Sequence, residues 1–500
     1  MNRTTRPTAW PSLDQIWVLA LAALVALRVQ LTPIAPNDFW WHLATGRTIA
    51  QTGDVPLLDR FSYTRDGQPY YNQPWLAQLL MYGGYQIGGA ALLLFIQTLL
   101  IGGSFLLLYA ICRREGAGVR LAVGCALAGA LVAMDNWQIR PQTYAVPLFI
   151  GTLGILLAWR RSGRAPLWLL PPIMLIWANL HGTFTLLLAL CGLVWLGAVG
   201  EQLWRRGGQS WRACGMLALW SGAALLTTLI NPRGIAIWGY VASLLSNHSV
   251  GQLVTEWASP LRLLDEPMTL IFFGVFACVL AIALWRRRRM RLSDLLLLAP
   301  FALLAFQSVR NILWFGIIAA PICARWLSAE QPRPRPQRVE IAVLNRLIAG
   351  LLALMVLGTL PWWKGSLGLP PTVGNLVSVD SPIAATEHLH TLDRQPQRLF
   401  HEMGFGSYLI WDAEQRVFID PRIELYPFEQ WRDYITLGQG QEVDVLAQKY
   451  GFDGWLIHAE RQAGLLAALE RHAGWQKVFS AEQAVYFAPR AAAGQSRPHR

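Results

Sequence analysis

The sequence predicts a polytopic α-helical membrane protein with about 11 transmembrane helices, a long first external loop and a small C-terminal external α/β domain. Composition is one basis for this prediction. Hydrophobic residues make up 54% of the 500 residues and charged residues only 14%, a balance too apolar for a soluble chain of this size. Distribution is the other basis, because the apolar residues form runs near the length of about 20 that crosses a bilayer.

Eleven apolar runs are predicted as spans. The third, fifth and ninth are short, which a span tolerates where its loops dip into the headgroup layer. The predicted limits are 16–34, 89–111, 119–134, 143–159, 165–178, 183–199, 213–229, 268–285, 292–307, 313–328 and 340–361.

Arginines predict the orientation of these spans. The net charge of +12 comes largely from clusters in alternate loops, and the positive-inside rule places such loops in the cytoplasm. The clusters are Arg3 and Arg6; Arg113, Arg114 and Arg120; Arg160, Arg161 and Arg164; Arg205, Arg206 and Arg212; Arg286 to Arg289 with Arg291; and Arg333, Arg335 and Arg338. Basic charge in this pattern indicates membrane topology and argues against nucleic acid as a partner.

The first span is predicted to be an uncleaved signal anchor, because no A-x-A-like site follows it. The predicted organisation is then a cytoplasmic N-terminus (1–15), a transmembrane domain (16–361) with a first external loop (35–88), an external α/β domain (362–490) and a disordered tail (491–500). We expect the inner membrane of a bacterial cell as its location. The six cysteines lie in or beside apolar runs without a CxxC pair, so neither disulfides nor a zinc site is expected.

The external domain is predicted from short patterns after residue 365. Alternating and β-branched residues predict strands, and apolar spacing of three to four predicts helices. The predicted strands are 398–400, 416–419 and Gly454–His458, and the predicted helices are 443–449 and Ala463–Arg471.

The first external loop contains the strongest functional signal, an acid directly after the first span. A carboxylate costs energy where the dielectric constant begins to fall, unless a partner or a function retains it. Asp38 is therefore a candidate catalytic residue. The alternative is that Asn37 and Asp38 cap a helix at 39–50. His42 either assists Asp38 or is held by ordinary hydrogen bonds.

Aromatic residues of the same loop are predicted to anchor it at the membrane surface, where such side chains concentrate. They are Trp40, Trp41, Trp75 and Tyr82. The apolar spacing within 73–82 predicts a helix that lies on the membrane.

These features resemble the GT-C superfamily of glycosyltransferases that use polyprenyl-phosphate sugars, which includes protein O-mannosyltransferases, aminoarabinose transferases and oligosaccharyltransferases. The stretch DFWWHLATGR at 38–47 is also similar to a group of bacterial membrane proteins that open with D-x-W-W-H-L-x-T-G. The resemblance covers the whole chain in layout, with further motifs at 138–142, 179–182 and 417–422. It implies a GT-C-like transmembrane domain with membrane-surface helices in the first loop.

The resemblance assigns roles to two positions. The family's first-loop acid falls on Asp38, which would act as general base toward an acceptor hydroxyl or orient it. The family's arginine near the external ends of the third and fourth spans falls on Arg140, but the acid that often follows it is Gln142 here. A site without metal and a site with a divalent cation (Mg²⁺ or Mn²⁺) therefore both stay open. Asp135 nearby either supports the site or caps the end of a span.

The leaving group of such a reaction is a polyprenyl phosphate, which needs fixed positive charge where the bridging oxygen becomes anionic. Basic or imidazole groups stand at four external span ends, and the arginines among them run against the positive-inside bias. These candidates for donor-phosphate binding are Arg140, His181, Arg233 and Arg310. The alternative for each is a structural role or contact with a lipid headgroup. Asp420 and Arg422 are supporting candidates in the external domain, with an internal ion pair as the alternative.

The resemblance implies an inverting transferase that moves a sugar from a polyprenyl-phosphate-sugar lipid to an unidentified external acceptor, which is a glycan, lipid or protein. The alternative is a non-catalytic membrane protein: a glycan or lipid transporter, an assembly scaffold, or a degenerate GT-C fold. Charges near mid-membrane and an internal repeat are typical of transporters. The spans show charges mainly near their ends and no visible repeat, which favours transfer at one face.

Overall fold

The computed structural model describes residues 10–204, 208–246, 255–328 and 341–490. The predictions for Arg3, Arg6, Arg205, Arg206, Arg333, Arg335, Arg338 and the tail 491–500 lie outside these residues. The described residues form two compact units. The helical unit draws on the described residues of 10–32, 91–245 and 255–367, and the mixed unit draws on those of 33–90 and 368–490.

The helical unit is built from apolar helices, and a helix overlaps each of the eleven predicted spans. The helices are Leu13–Gln30, the later part of Trp75–Arg114, Val119–Leu131, Pro141–Ser162, Leu170–Leu180, Thr185–Leu203, Trp211–Thr227, Ala236–Ser246, Pro267–Trp285, Leu292–Gln307, Ile312–Leu327 and Ala342–Gly358. Short 3₁₀ helices join several of them.

Membrane crossing is supported by length and composition. In the part of the chain that the structure describes, five helices are long and apolar enough to span a bilayer, and four shorter apolar helices accompany them. The five are Leu13–Gln30, Trp75–Arg114, Pro141–Ser162, Gly182–Leu203 and Pro267–Trp285. The chain is a multi-pass membrane protein, while the total of eleven crossings and the orientation of the termini stay predictions.

Buried ion pairs hold the C-terminal ends of two helices, Pro141–Ser162 and Ile312–Leu327. The first of these helices follows Arg140, and the second follows Arg310. Asp294 accepts a hydrogen bond from Arg160 Nη1 at 2.6 Å and another from Arg325. Arg160 lies in the last turn of Pro141–Ser162, and Arg325 lies in the last turn of Ile312–Leu327. Arg160, which served only to predict the orientation of the chain, therefore also helps to hold these two helices together through Asp294.

One helix belongs to both units. The backbone of Trp75–Arg114 is non-helical at Gly88 and Gly89, and Gly89 has a φ of +61°, a conformation that glycine adopts without steric cost. The boundary between the units falls at Ala90. The two glycines thus separate the loop helix, predicted at 73–82, from the second span, predicted to begin at residue 89.

The mixed unit contains a four-stranded sheet with the order β1-β2-β4-β3. The strand β1 pairs with β2 in parallel, and the other neighbours are antiparallel. The strands are β1 (Leu399–His401), β2 (Gly454–His458), β3 (Trp475–Ala481) and β4 (Ala484–Pro489), and the helices are Pro36–Thr52, the first part of Trp75–Arg114, Pro371–Gly374, Ile383–His390, Met403–Tyr408, Phe428–Gly438, Val443–Tyr450 and Ala463–Arg471. The predicted helices at 443–449 and 463–471 are confirmed, and the hairpin of β3 and β4 was not predicted.

The predicted strand at 416–419 is wrong, since this segment forms only an isolated bridge between Val417 and Ser62. Val417 N donates to Phe61 O at 2.8 Å, and Tyr63 N donates to Val417 O at 3.1 Å. The partner of this segment is therefore the first loop, which lies far away in the sequence. Local pattern predicts an extended backbone but gives no information about such a partner.

The first loop supplies part of the core of the mixed unit. Trp40 and Trp41 are buried, and Trp41 N donates to Ser407 Oγ at 2.9 Å. Trp40 makes an edge contact with Tyr408 at 4.9 Å between ring centroids. Membrane anchoring by Trp40 and Trp41 is thus wrong, because the C-terminal segment covers both rings.

Candidate functional site

Three of the predicted site residues lie together in the helical unit. Arg140 is the N-cap of the helix Pro141–Ser162, and Gln142 lies in its first turn. Arg310 lies in the short 3₁₀ helix Val309–Asn311, and its Nε donates to Gln142 Oε1 at 2.7 Å. Gln142, where the resemblance led us to expect an acid, is therefore in direct contact with an arginine.

Glu256 completes this cluster, which we call the arginine group: Arg140, Gln142, Glu256 and Arg310. Arg140 Nη1 donates to the two carboxylate oxygens of Glu256 at 2.7 and 2.9 Å. The Ser308 hydroxyl donates to the backbone oxygen of Glu256 at 2.7 Å, so the acid is fixed next to the turn that carries Arg310. Sequence reasoning missed Glu256, and its only signal there is an acid in a predicted external loop.

The arginine group is positively charged. Burial alone would raise the pKa of Glu256, but the charges of Arg140 and Arg310 and the hydrogen bond from Arg140 hold that pKa below its usual value. Two guanidinium groups and one ionised carboxylate leave one positive charge. Gln142 Nε2 is buried and finds no acceptor among the described residues. Guanidinium and amide N–H groups of this kind are suited to an anion.

His181 and Arg233 lie in two other turns of the helical unit. His181 Nδ1 accepts from Thr183 N at 3.2 Å, which leaves the ring proton on Nε2. Arg233 follows Asn231, whose side chain accepts from Arg233 N at 2.8 Å. Asn179 Nδ2 donates to Ile230 O at 2.9 Å and so joins the two turns. The structure thus brings Arg140 and Arg310 together through Glu256 and Gln142, and it joins the turns that precede His181 and Arg233 through Asn179 and Ile230.

Asp135 forms an ion pair with Arg28 of the first helix, at 3.7 Å between Oδ1 and Nη2. Both side chains are largely accessible, with 60% and 39% of their surfaces exposed. Pairs of this kind contribute at most about 1 kcal/mol. The contact shows how Asp135 is held and does not connect it to the arginine group.

Asp38 lies in the mixed unit, in the first turn of the helix Pro36–Thr52, and is half-buried. The N-cap of this helix is Ala35, which makes no side-chain hydrogen bond. The predicted cap by Asn37 and Asp38 is therefore wrong, because the proline at the first helical position starts the helix earlier than expected. The helix dipole favours the ionised carboxylate of Asp38 at this position.

Glu424 is a second carboxylate whose charge interacts with Asp38, and sequence reasoning missed it. Burial is the main cause of its raised pKa. The charge of Arg422 opposes this rise, while the charges of Asp420 and Asp38 add to it. When two carboxylates interact in this way, the one with the higher pKa keeps its proton longer. The negative charge of Asp38 thus contributes to keeping the proton on Glu424.

His42 is buried one helical turn after Asp38. Its Nδ1 lies 3.0 Å from Gln78 Nε2, and Gln78 Oε1 accepts from Asn72 Nδ2 at 2.7 Å. The ring also packs on Trp41, with 3.7 Å between centroids. This chain of amides fixes His42 with Nδ1 as an acceptor and Nε2 as its donor.

Asp420 and Arg422 belong to a fully buried set, which we call the sealed network: Asp59, Asp420, Arg422 and Tyr426. Arg422 donates through Nε and Nη2 to Asp420 at 2.9 and 2.5 Å and through Nη1 to Asp59 at 2.7 Å. The Tyr426 hydroxyl donates to Asp420 at 2.7 Å. Despite burial, these donors hold the pKa of Asp420 below its usual value. The network joins the first loop to the C-terminal segment.

A cavity of about 20 Å³ beside the sealed network is lined by Thr45, Thr48, Pro56, Leu58, Arg60, Phe61, Tyr70, Asn72 and Arg422. A cavity of this size holds about one water molecule. Asn72 Oδ1 is buried and receives no hydrogen bond from the described residues, so a water molecule would satisfy it. The cavity fits water and is too small for a sugar.

Among the described residues, no group of three or more His, Cys, Asp or Glu side chains is placed so that it could bind a metal ion. The arginine group offers one carboxylate and one amide oxygen, both occupied by guanidinium donors. A site without metal and a site with Mg²⁺ or Mn²⁺ therefore both stay predictions.

The fold is similar to that of solved membrane glycosyltransferases over nearly the whole chain. The oligosaccharyltransferase AglB from Archaeoglobus fulgidus, in complex with an inhibitory peptide and a dolichol-phosphate, has a TM-score of 0.56 and 12% identity, covering 95% of this chain and 74% of its own. ArnT from Cupriavidus metallidurans, bound to undecaprenyl phosphate, has a TM-score of 0.53 and 15% identity, covering 96% and 98%.

The arabinofuranosyltransferase AftD from Mycobacteria has a TM-score of 0.55 and 15% identity, covering 95% of this chain and 40% of its own. No protein-family model and no curated protein matches the chain. At sequence identities this low, the comparisons show similarity of fold and nothing more specific. The expected resemblance to the GT-C glycosyltransferases is confirmed at that level.

Proposed function

We propose that the protein is a membrane glycosyltransferase that moves a sugar from a polyprenyl-phosphate-sugar donor to an extracytoplasmic acceptor, with inversion at the anomeric carbon. The observation that carries this proposal is the contact network of Arg140, Gln142, Glu256 and Arg310, which gathers two arginines selected as phosphate ligands. The similar fold of proteins solved with dolichol-phosphate and undecaprenyl phosphate supports a lipid-linked donor.

In this mechanism Asp38 accepts the proton of the acceptor hydroxyl. The acceptor oxygen forms a bond to the anomeric carbon while the bond from that carbon to the phosphate oxygen breaks. The lipid phosphate leaves with one more negative charge than it had in the donor. Arg140 and Arg310 stabilise this charge through guanidinium N–H groups, and His181 and Arg233 serve as a further contact for the lipid phosphate.

The proposal places the protein in the inner membrane of a bacterial cell, with the N-terminus in the cytoplasm and the mixed unit outside. The sugar donor then reaches the protein from the outer leaflet. Asp420 and Arg422 act in this proposal as positioning residues, because the sealed network fixes the loop that carries Asp38. A non-catalytic GT-C fold is the second candidate, favoured by the amide at Gln142 where the family often has an acid.

Replacing Asp38 separates the two candidates. We expect Asp38→Asn to lower transfer at least about 100-fold, the contribution of a general base, without lowering thermal stability. Asp54→Asn is the matched control, since Asp54 is an exposed acid of the same loop. Cell-envelope glycans of strains that carry each variant or a gene deletion are compared by mass spectrometry, together with undecaprenyl phosphate release in isolated membranes.

Unchanged transfer in Asp38→Asn would refute the assignment of the base. A deletion strain with unaltered glycans and membranes that release no undecaprenyl phosphate would support the non-catalytic candidate instead.

A further inference from the structure

Glu256 sets the charge of the arginine group. The two arginines alone would present two positive charges to a lipid phosphate. Glu256 is paired with Arg140 Nη1 and lies within the field of Arg310, so it removes one of these charges. Its backbone oxygen accepts from the Ser308 hydroxyl at 2.7 Å, which fixes the segment that carries the carboxylate beside the turn of Arg310.

The substrate and product of the proposed reaction differ in charge. The donor is a phosphodiester with a single negative charge at every physiological pH. Transfer breaks the bond between the anomeric carbon and the phosphate oxygen, forms the bond to the acceptor oxygen and passes the acceptor proton to the base. The product is a phosphomonoester, whose second pKa of about 6 gives it two negative charges above neutral pH.

From this we infer that Glu256 is a specificity-determining residue that weakens binding of the doubly charged product relative to the singly charged donor and so promotes product release. This inference rests on the proposed function. A site with two positive charges binds a dianion much more strongly than a monoanion. Each negative charge within about 8 Å of Glu256 costs roughly up to tenfold in affinity after screening, and the product carries one more such charge than the donor.

The charged groups that act on Glu256 come from two neighbouring turns: Arg140 at the start of its helix and Arg310 in the 3₁₀ helix before Ile312–Leu327. Polar neighbours are Gln142, which binds Arg310, and Ser308. The pH dependence below arises from ionisation of the phosphomonoester, because both arginines keep Glu256 ionised across the range used.

The test measures binding of two probes to the full chain in detergent at constant ionic strength. One probe is undecaprenyl phosphate and the other is its monomethyl ester, which keeps one charge. The variants are Glu256→Gln, Arg140→Gln and Arg310→Gln, with Glu266→Gln as the matched control because Glu266 is an exposed acid of the same predicted loop. At pH 8 we expect Glu256→Gln to gain about tenfold more affinity for the phosphate than for its methyl ester, and this difference should shrink at pH 5.5.

Both arginine variants should bind both probes more weakly, and Glu266→Gln should match the wild type. If the arginine variants weaken binding but Glu256→Gln affects both probes equally or weakens both, charge selection by Glu256 is overturned while the phosphate site stands. If neither arginine variant affects either probe, the phosphate site is overturned and this inference fails with it. Thermal unfolding of each variant separates these results from loss of fold.

Discussion

The sealed network and the arginine group use the same side-chain chemistry in different surroundings. In the sealed network, the side chains of Arg422, Asp59 and Asp420 are at most 2% exposed, and two carboxylates surround one guanidinium. In the arginine group, two guanidinium groups act on one carboxylate; the side chain of Arg140 is 6% exposed, whereas that of Glu256 is 33% exposed. One set is closed on all sides and has two acids for one arginine, whereas the other has two arginines for one partly exposed acid.

This difference separates structural from chemical roles. A buried ion pair contributes little net stability while it is intact, but loss of one partner is costly because the other charge stays buried. A cluster whose acid is partly exposed, as Glu256 is, adjusts with solvent and ions when one member is removed. We therefore expect substitutions in the sealed network to act on folding and substitutions in the arginine group to act on binding.

The largest expected effect is that of Arg422→Gln. This substitution leaves Asp59 and Asp420 buried without their shared cation, which typically costs about 3–5 kcal/mol. The thermal midpoint of the mixed unit should fall accordingly, as followed by tryptophan fluorescence of the full chain in detergent. Arg416→Gln is the control, since Arg416 forms an exposed pair with Asp66. Equal losses in the two variants would show that burial does not decide the role of these arginines.

The next effect is a pH dependence centred on His401. His401 is fully buried; its Nε2 accepts from Phe418 N at 3.0 Å, and its Nδ1 lies 2.8 Å from Glu402 O. Burial lowers the pKa of His401 to about 4, while the unfolded chain has a histidine pKa of about 6.5. Between these values the unfolded chain binds more protons, so the mixed unit loses up to ~3 kcal/mol as the pH falls from about 6.5 to about 4.

Unfolding midpoints between pH 7 and pH 4 test this effect. His401→Gln should flatten the curve, and His458, whose pKa burial also lowers, contributes a slope of the same sign. His390→Gln is the matched control because His390 is largely exposed. A curve that keeps its full slope without His401 would contradict the assignment.

The fold could be predicted from the sequence wherever its cause is local. Apolar runs of span length predict helices, and a helix overlaps every predicted span. Partners that are distant in the sequence could not be predicted. Trp41 is buried in one core with Phe405 and Leu409, and the segment at 416–419 pairs with the backbone at Phe61 instead of joining the sheet. Local patterns contain no information about such pairs.

The candidate site shows the same division. Arg140 and Arg310 were selected because charge at an external span end is unusual, and this property is readable residue by residue. Glu256 and Glu424 were missed because their importance lies in which charges surround them. An isolated acid in a loop gives no sign of its neighbours until the chain has folded.

The smallest expected effect comes from adding a charge to each region. Gln142→Glu keeps an acceptor for Arg310 Nε and cancels the remaining positive charge of the arginine group. We expect undecaprenyl phosphate binding to weaken roughly tenfold, about 1.4 kcal/mol, with an unchanged thermal midpoint.

Gln430→Glu is the matched substitution near the sealed network. Gln430 is buried, and its Nε2 donates to Phe418 O at 2.8 Å and Thr64 Oγ1 at 3.0 Å. A carboxylate there loses both bonds and faces acceptors, so it should lower the thermal midpoint and leave lipid binding unchanged in the molecules that stay folded. The contrary outcome is that Gln142→Glu lowers the thermal midpoint as much as Gln430→Glu does. That result would show that the arginine group has the same structural role as the sealed network, because an added charge is so costly only where solvent and ions cannot reach it.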